Sequence, residues 1–97
     1  MEREILAELI QEAEELEVMR GADKEVLIAS PKSGFTLTVL LESGAGGASE
    51  ISAVERLTLA ARHLQLQREG ERYYLAYHQL LGLRLRESTS GRAGFRR

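Results

Sequence analysis

The sequence predicts an α+β domain: one N-terminal helix followed by a strongly bent antiparallel sheet or a small barrel. Three observations carry this. A stripe of Leu and Ile recurs at helical spacing in the first twenty residues, three runs from residue 63 onward alternate between apolar and polar residues, and a turn at Gly70 interrupts those runs.

"REILAELIQEAEELEVMRG" is the predicted helix, with Leu6, Leu9, Ala13 and Leu16 at spacings of 3, 4 and 3 and with Ile5 and Ile10 widening the stripe. Glutamates crowd its positive N-terminal end, Arg20 stands near its negative end, and Gly21 offers a C-cap. Glu4, Glu8 and Glu12 repeat at i, i+4 and repel. A helix of this kind is marginal alone and needs its apolar stripe docked.

"KEVLIAS" reads as a short buried strand ended by the "SPKSG" turn, and "FTLTVLLES" alternates Phe35, Leu37, Val39 and Leu41 against Thr36 and Thr38. "SGAGGAS" is a Gly-rich connector and lacks the Lys-Ser/Thr ending of a phosphate-binding loop. Residues 51–62 support two readings. Ser52–Glu55 fits a capping box ahead of a helical stripe, which would give an α-β-β-α-β-β fold; the same residues also fit a bent strand. "HLQLQ", "RYYLAYH" and "LGLRLRE" each alternate, and "REGE" places a turn at Gly70 between the first two. These are predicted strands. Residues 1–87 form the predicted domain, and residues 88–97 are a basic, polar tail.

Ninety-seven residues, 43% hydrophobic and 29% charged, suit one small soluble domain, with a cytoplasmic location as the default. No apolar run approaches a membrane span, and "MEREILAELI" is too acidic for a signal peptide. The absence of cysteine excludes disulfides and thiolate metal sites. His63 and His78 with scattered carboxylates form no recognised ligand set, so no metal and no cofactor are expected. No nucleophile, base and orienting acid are indicated together, and an enzyme is not expected.

The net charge of −2 conceals a split: residues 1–25 hold nine acids and three bases, whereas residues 26–97 hold ten bases and six acids. Such asymmetry suits either acid-to-base self-association or a polyanion partner. Candidate nucleic-acid contacts are His63, Tyr74, Tyr77 and His78, with Arg84, Arg86, Arg92, Arg96 and Arg97 as phosphate partners. Tyr73 and Tyr77 share the Leu75 face and read as core or interface; Tyr74 lies on the other face, better placed for a ligand. Against RNA stands the sequence pI of about 5.7, far from the basic footprint of such domains. A protein-interaction or assembly subunit, using the acidic helix and basic tail without nucleic acid, is the alternative.

From Phe35 to Glu87 the chain resembles the Sm-like, Hfq-like family of small β-barrels that form RNA-binding rings. "FTLTVLLESG" is similar to that family's first strand and turn, "ISAVERLTLAAR" to its bent second strand, and "HLQLQREGERYYLAYHQLLGLRLRE" to its third to fifth strands. The resemblance implies a homo-oligomeric ring and single-stranded RNA as a partner. It places Tyr77 and His78 where the family grips uridine and His63 where an aromatic stacks on it. Three departures stand against it: Glu55 replaces a customary Gly, Ala61 replaces an acid, and the helix is acidic rather than rimmed with bases.

Overall fold

The computed structural model describes residues 1–23, 25–44 and 47–88. One helix, α1 (Arg3–Glu12), precedes eight antiparallel strands: β1 (Leu16–Arg20), β2 (Leu27–Pro31), β3 (Phe35–Glu42), β4 (Ala48–Ile51), β5 (Arg56–Leu59), β6 (Leu64–Arg68), β7 (Glu71–Leu75) and β8 (Leu80–Glu87). A 3-10 turn, Tyr77–Gln79, joins β7 to β8. The strands form two open sheets, one ordered β1-β2-β5-β6-β7 and the other β4-β3-β8. The expected α+β class holds, and no barrel closes among the described residues.

The helix is shorter than its apolar stripe predicts. It ends at Glu12, and Leu16–Arg20 is a strand, paired residue for residue with β2 from Leu16↔Pro31 to Arg20↔Leu27. Pairing explains the difference. A helix through Arg20 would add like-charged glutamates to an already repelling face, whereas β1 satisfies the backbone of β2 and buries Leu16. Gly21 is therefore no helix cap; its N–H donates to the Val26 carbonyl at 2.8 Å in the β1–β2 hairpin. Only Leu6 and Ile10 of the helix are fully buried, one turn apart, and Ile5 and Leu9 stay exposed.

The span from 51 to 62 is a bent strand, not a helix. β4 pairs with β3 and β5 pairs with β2, both antiparallel. Residues 27–42 and 48–59 thus form one long hairpin, bent at 32–34 on one arm and at 52–55 on the other. Each bend uses a left-handed residue, Gly34 (φ 94°) and Ala53 (φ 56°). The Val54 N–H donates to the Leu37 carbonyl at 3.0 Å across the corner, which the capping-box reading of Ser52–Glu55 does not anticipate. β4 itself falls partly in the Gly-rich stretch read from sequence as a connector.

The remaining strands follow the alternation. β6 and β7 make a hairpin whose turn residues, Glu69 (φ 45°) and Gly70 (φ 81°), both have positive φ, as a twist-matched two-residue turn requires. β8 returns to β3, with a bulge that sets Leu80 and Leu81 against Leu41; Leu80 is buried and Leu81 exposed. Between the sheets lie Leu37, Val39, Val54, Leu57, Leu59, Leu64, Leu66 and Leu80, all essentially without solvent contact. Burying one such Leu stabilises by about 1.5–3 kcal/mol, so these side chains hold the bent hairpin to α1 and β8.

Candidate nucleic-acid interface

The core alternation of β5, β6 and β7 dictates what their opposite face presents. Leu57 and Leu59, Leu64 and Leu66, and Tyr73 and Leu75 point inward. Arg56 and Thr58, Gln65 and Gln67, and Arg72 and Tyr74 therefore point outward. The strand register sets them in two rows, Arg56↔Gln67↔Arg72 and Thr58↔Gln65↔Tyr74. Two strand spacings separate the arginines in their row, about 10 Å between backbones. Arg56, Thr58, Gln65, Gln67 and Arg72 line a shallow depression of about 120 Å³. Among the described residues neither Arg56 nor Arg72 has an ion-pair partner; the one carboxylate of these three strands, Glu71, is exposed at the start of β7 and borders Gln67, Arg72 and Tyr74 in a neighbouring depression.

Tyr74 is 61% exposed at the end of the second row. The His63 ring, in the turn between β5 and β6, stands with its centroid 6.0 Å from that of Tyr74, tilted by 38°. The Gln65 amide nitrogen lies 3.0 Å from His63 Nε2 and donates to it when the ring proton is on Nδ1. His63, Gln65 and Tyr74 form one cluster from three consecutive elements.

Other residues singled out in the sequence lie elsewhere. Tyr77 is in the 3-10 turn rather than on a strand, and its hydroxyl donates to the Ala60 carbonyl at 2.5 Å. Arg3 Nε donates to the same carbonyl at 3.1 Å, and the Met1 ammonium donates to the Tyr77 and Leu80 carbonyls at 3.0 and 2.8 Å. Burial, more than any neighbouring charge, holds the Tyr77 phenol above its ordinary pKa. Tyr77 therefore ties α1 to the β5–β6 turn. His78 is exposed in the same 3-10 turn, and the structure does not bring it to His63.

Arg84 makes a bidentate contact with Glu50 at 2.9 and 3.2 Å, across the three-stranded sheet. That hydrogen bond, then the guanidinium charge, lowers the Glu50 pKa; the same bond, then the carboxylate charge, raises that of Arg84. Arg86 is exposed two residues further along β8. Arg92, Arg96 and Arg97 lie outside the described residues. Tyr73 is half-buried as its face predicts, its hydroxyl donating to Glu71 Oε1 at 2.9 Å, and that bond raises its pKa. No group of three or more His, Asp or Glu side chains converges among the described residues.

Arg56, Thr58, Gln65, Gln67 and Arg72 are absent from the residues that sequence alone singles out. The alternation of Leu64 and Leu66 with Gln65 and Gln67 was a signal for them; what it lacked was the register that aligns both arginines with Gln67. Comparison with protein-family models, curated proteins and solved structures found no match to this chain.

Proposed function

We propose that this chain is a non-enzymatic module that assembles with copies of itself edge to edge and carries single-stranded RNA in the manner of the Sm-like family. The observation that supports this reading is the pair of free strand edges flanking the Tyr77–Gln79 turn. β7 ends one sheet and β8 ends the other, and these consecutive strands do not pair with each other. An unpaired edge is a template for another chain. The bent hairpin, the β6–β7 hairpin and the return of β8 to β3 follow the strand plan of an Sm-like barrel left open. β8 of one copy laid on β7 of the next is a heterologous contact, which closes into a ring when the rotation per copy divides a full turn. His78 then sits in every copy beside the contact strands.

The test is mass. Native mass spectrometry and light scattering at micromolar concentration are expected to give a closed multiple of the 10.8 kDa chain. Leu81→Asp, a change at a site 51% exposed on β8, is expected to give a folded monomer. A wild-type monomer would contradict the reading.

One observation favours the assembly subunit without nucleic acid. Glu2, Glu4, Glu8 and Glu12 are all exposed on or beside α1, and none is ion-paired among the described residues. A basic protein surface would complement them and set encounter rate and register. Under that reading, Gln at positions 4, 8 and 12 abolishes partner capture and RNA binds neither protein.

A further inference from the structure

We infer that the outward face of β5, β6 and β7 is a binding site for a single-stranded oligonucleotide, in which Tyr74 stacks a base and Arg56 and Arg72 meet the phosphates on either side of Gln67. The inference rests on the RNA-carrying part of the proposed function and assigns it a face.

Charge argues first. The chain as a whole is acidic, yet this face carries two guanidinium groups with no ion-pair partner among the described residues, and the one carboxylate of its three strands, the exposed Glu71 beside Arg72, accepts a hydrogen bond from Tyr73. By contrast, Arg84 is paired with Glu50, Arg68 with Glu69, and Arg3 with backbone carbonyls. Fields from free cations on a rigid sheet attract a polyanion, and guanidinium is the side chain best matched to phosphate.

Chemistry argues second. A sheet face holding an exposed aromatic among amides is suited to unpaired bases, because every base has a π-face for stacking and polar edges for hydrogen bonds. Tyr74 supplies the ring. His63 stands behind it at 6.0 Å, and its contact with Gln65 limits the rotamers of both. Gln65, Gln67 and Thr58 are half-buried, held by strand neighbours, and present donors and acceptors between the arginine row and the tyrosine. An acidic peptide would use the arginines and leave Tyr74 and the amides without a role.

The assay is fluorescence anisotropy of labelled 12-nucleotide oligouridine, with poly-glutamate as a competing probe and oligomer mass followed in the same samples. Arg56→Gln with Arg72→Gln is expected to lower affinity at least tenfold and to reduce the slope of log affinity against log salt by about 1.4, two single-strand phosphate contacts. Tyr74→Ala is expected to weaken binding about tenfold, and Tyr74→Phe to restore it, since stacking needs the ring and not the hydroxyl. Arg86→Gln, on the other sheet, tests the competing contact predicted from sequence and is expected to change affinity little. If wild type binds RNA but only Arg86→Gln weakens it, the face is wrong while the RNA-carrying function stands. Equal binding of poly-glutamate with no effect of Tyr74→Ala would make the ligand an acidic polypeptide and overturn the assignment. An assembled wild type that binds no oligouridine overturns both this site and the RNA part of the proposed function.

Discussion

Two regions of the molecule use the same residue types to opposite ends. Where α1 meets the β5–β6 turn, Arg3 and Tyr77 donate to one carbonyl, that of Ala60, and the Met1 ammonium takes the carbonyls of Tyr77 and Leu80. On the outward face of β5–β7, the Arg56 and Arg72 guanidinium groups and the Tyr74 hydroxyl have no hydrogen-bond or ion-pair partner among the described residues. The first region has spent its polar groups on the fold. The second leaves them open to solvent, as the proposed site requires. An arginine or tyrosine is thus assigned by what its tip already touches.

The comparison is broken most severely inside β6, where adjacent residues serve the two ends. Leu66→Ala removes a fully buried side chain and is expected to cost about 2–5 kcal/mol in urea denaturation. Gln65→Ala on the outward face is expected to stay within about 0.5 kcal/mol while weakening oligouridine binding. A large loss of stability in Gln65→Ala would return that face to a structural role.

The tyrosines give the next largest contrast. Tyr77→Phe deletes a hydrogen bond whose acceptor keeps Arg3, so a loss of about 1 kcal/mol is expected, whereas Tyr74→Phe is expected to be neutral. Alkaline pH sharpens the difference. The folded state favours the neutral Tyr77 phenol, so its stabilisation is complete below the ordinary value of 10.0 and is lost as pH rises through the higher folded pKa. Tyr73 titrates in the same direction through Glu71. The readout is therefore the difference between wild type and Tyr77→Phe: denaturation midpoints are expected to converge as pH is raised from 9 through and beyond 10.

Smaller effects test the scaffold under both regions. Ala53 holds a left-handed backbone at one bend of the hairpin, a conformation that costs a non-Gly residue about 1–2 kcal/mol, partly offset in Gly by the entropy of the unfolded chain. Ala53→Gly is expected to raise stability by a few tenths to about 1 kcal/mol, with Leu37 and Val54 still buried. A loss would mean that the corner depends on the methyl group. Glu50→Gln is the smallest perturbation: it breaks an exposed pair, so the melting temperature should hardly move, and freeing Arg84 is expected to leave oligouridine affinity unchanged.

Much of this was legible where local pattern and tertiary structure agree. Phe35–Glu42, Leu64–Arg68, Glu71–Leu75 and Leu80–Glu87 alternate because one face meets the core, and Gly70 marks its turn. Leu16–Arg20 was not legible, because Leu16, Val18 and Met19 around Glu17, preceded by Glu14 and Glu15, also scan as helix; only the register with β2 decides. The bend at 52–55 was ambiguous for the same reason. Within the site, Tyr74 and His63 could be named from residue type, but that they stand together depends on the β5–β6 turn. Arg84 could be named and its partner could not: Glu50 lies 34 residues away, across β3.

The most direct measurement is a backbone and side-chain NMR titration of the assembled protein with 12-nucleotide oligouridine. The account predicts shifts and line broadening concentrated at Arg56, Thr58, His63, Gln65, Gln67, Arg72 and Tyr74, with Arg3, Tyr77 and the Arg84–Glu50 pair undisturbed. Perturbations confined to Tyr77 and β8, or none anywhere, would contradict it.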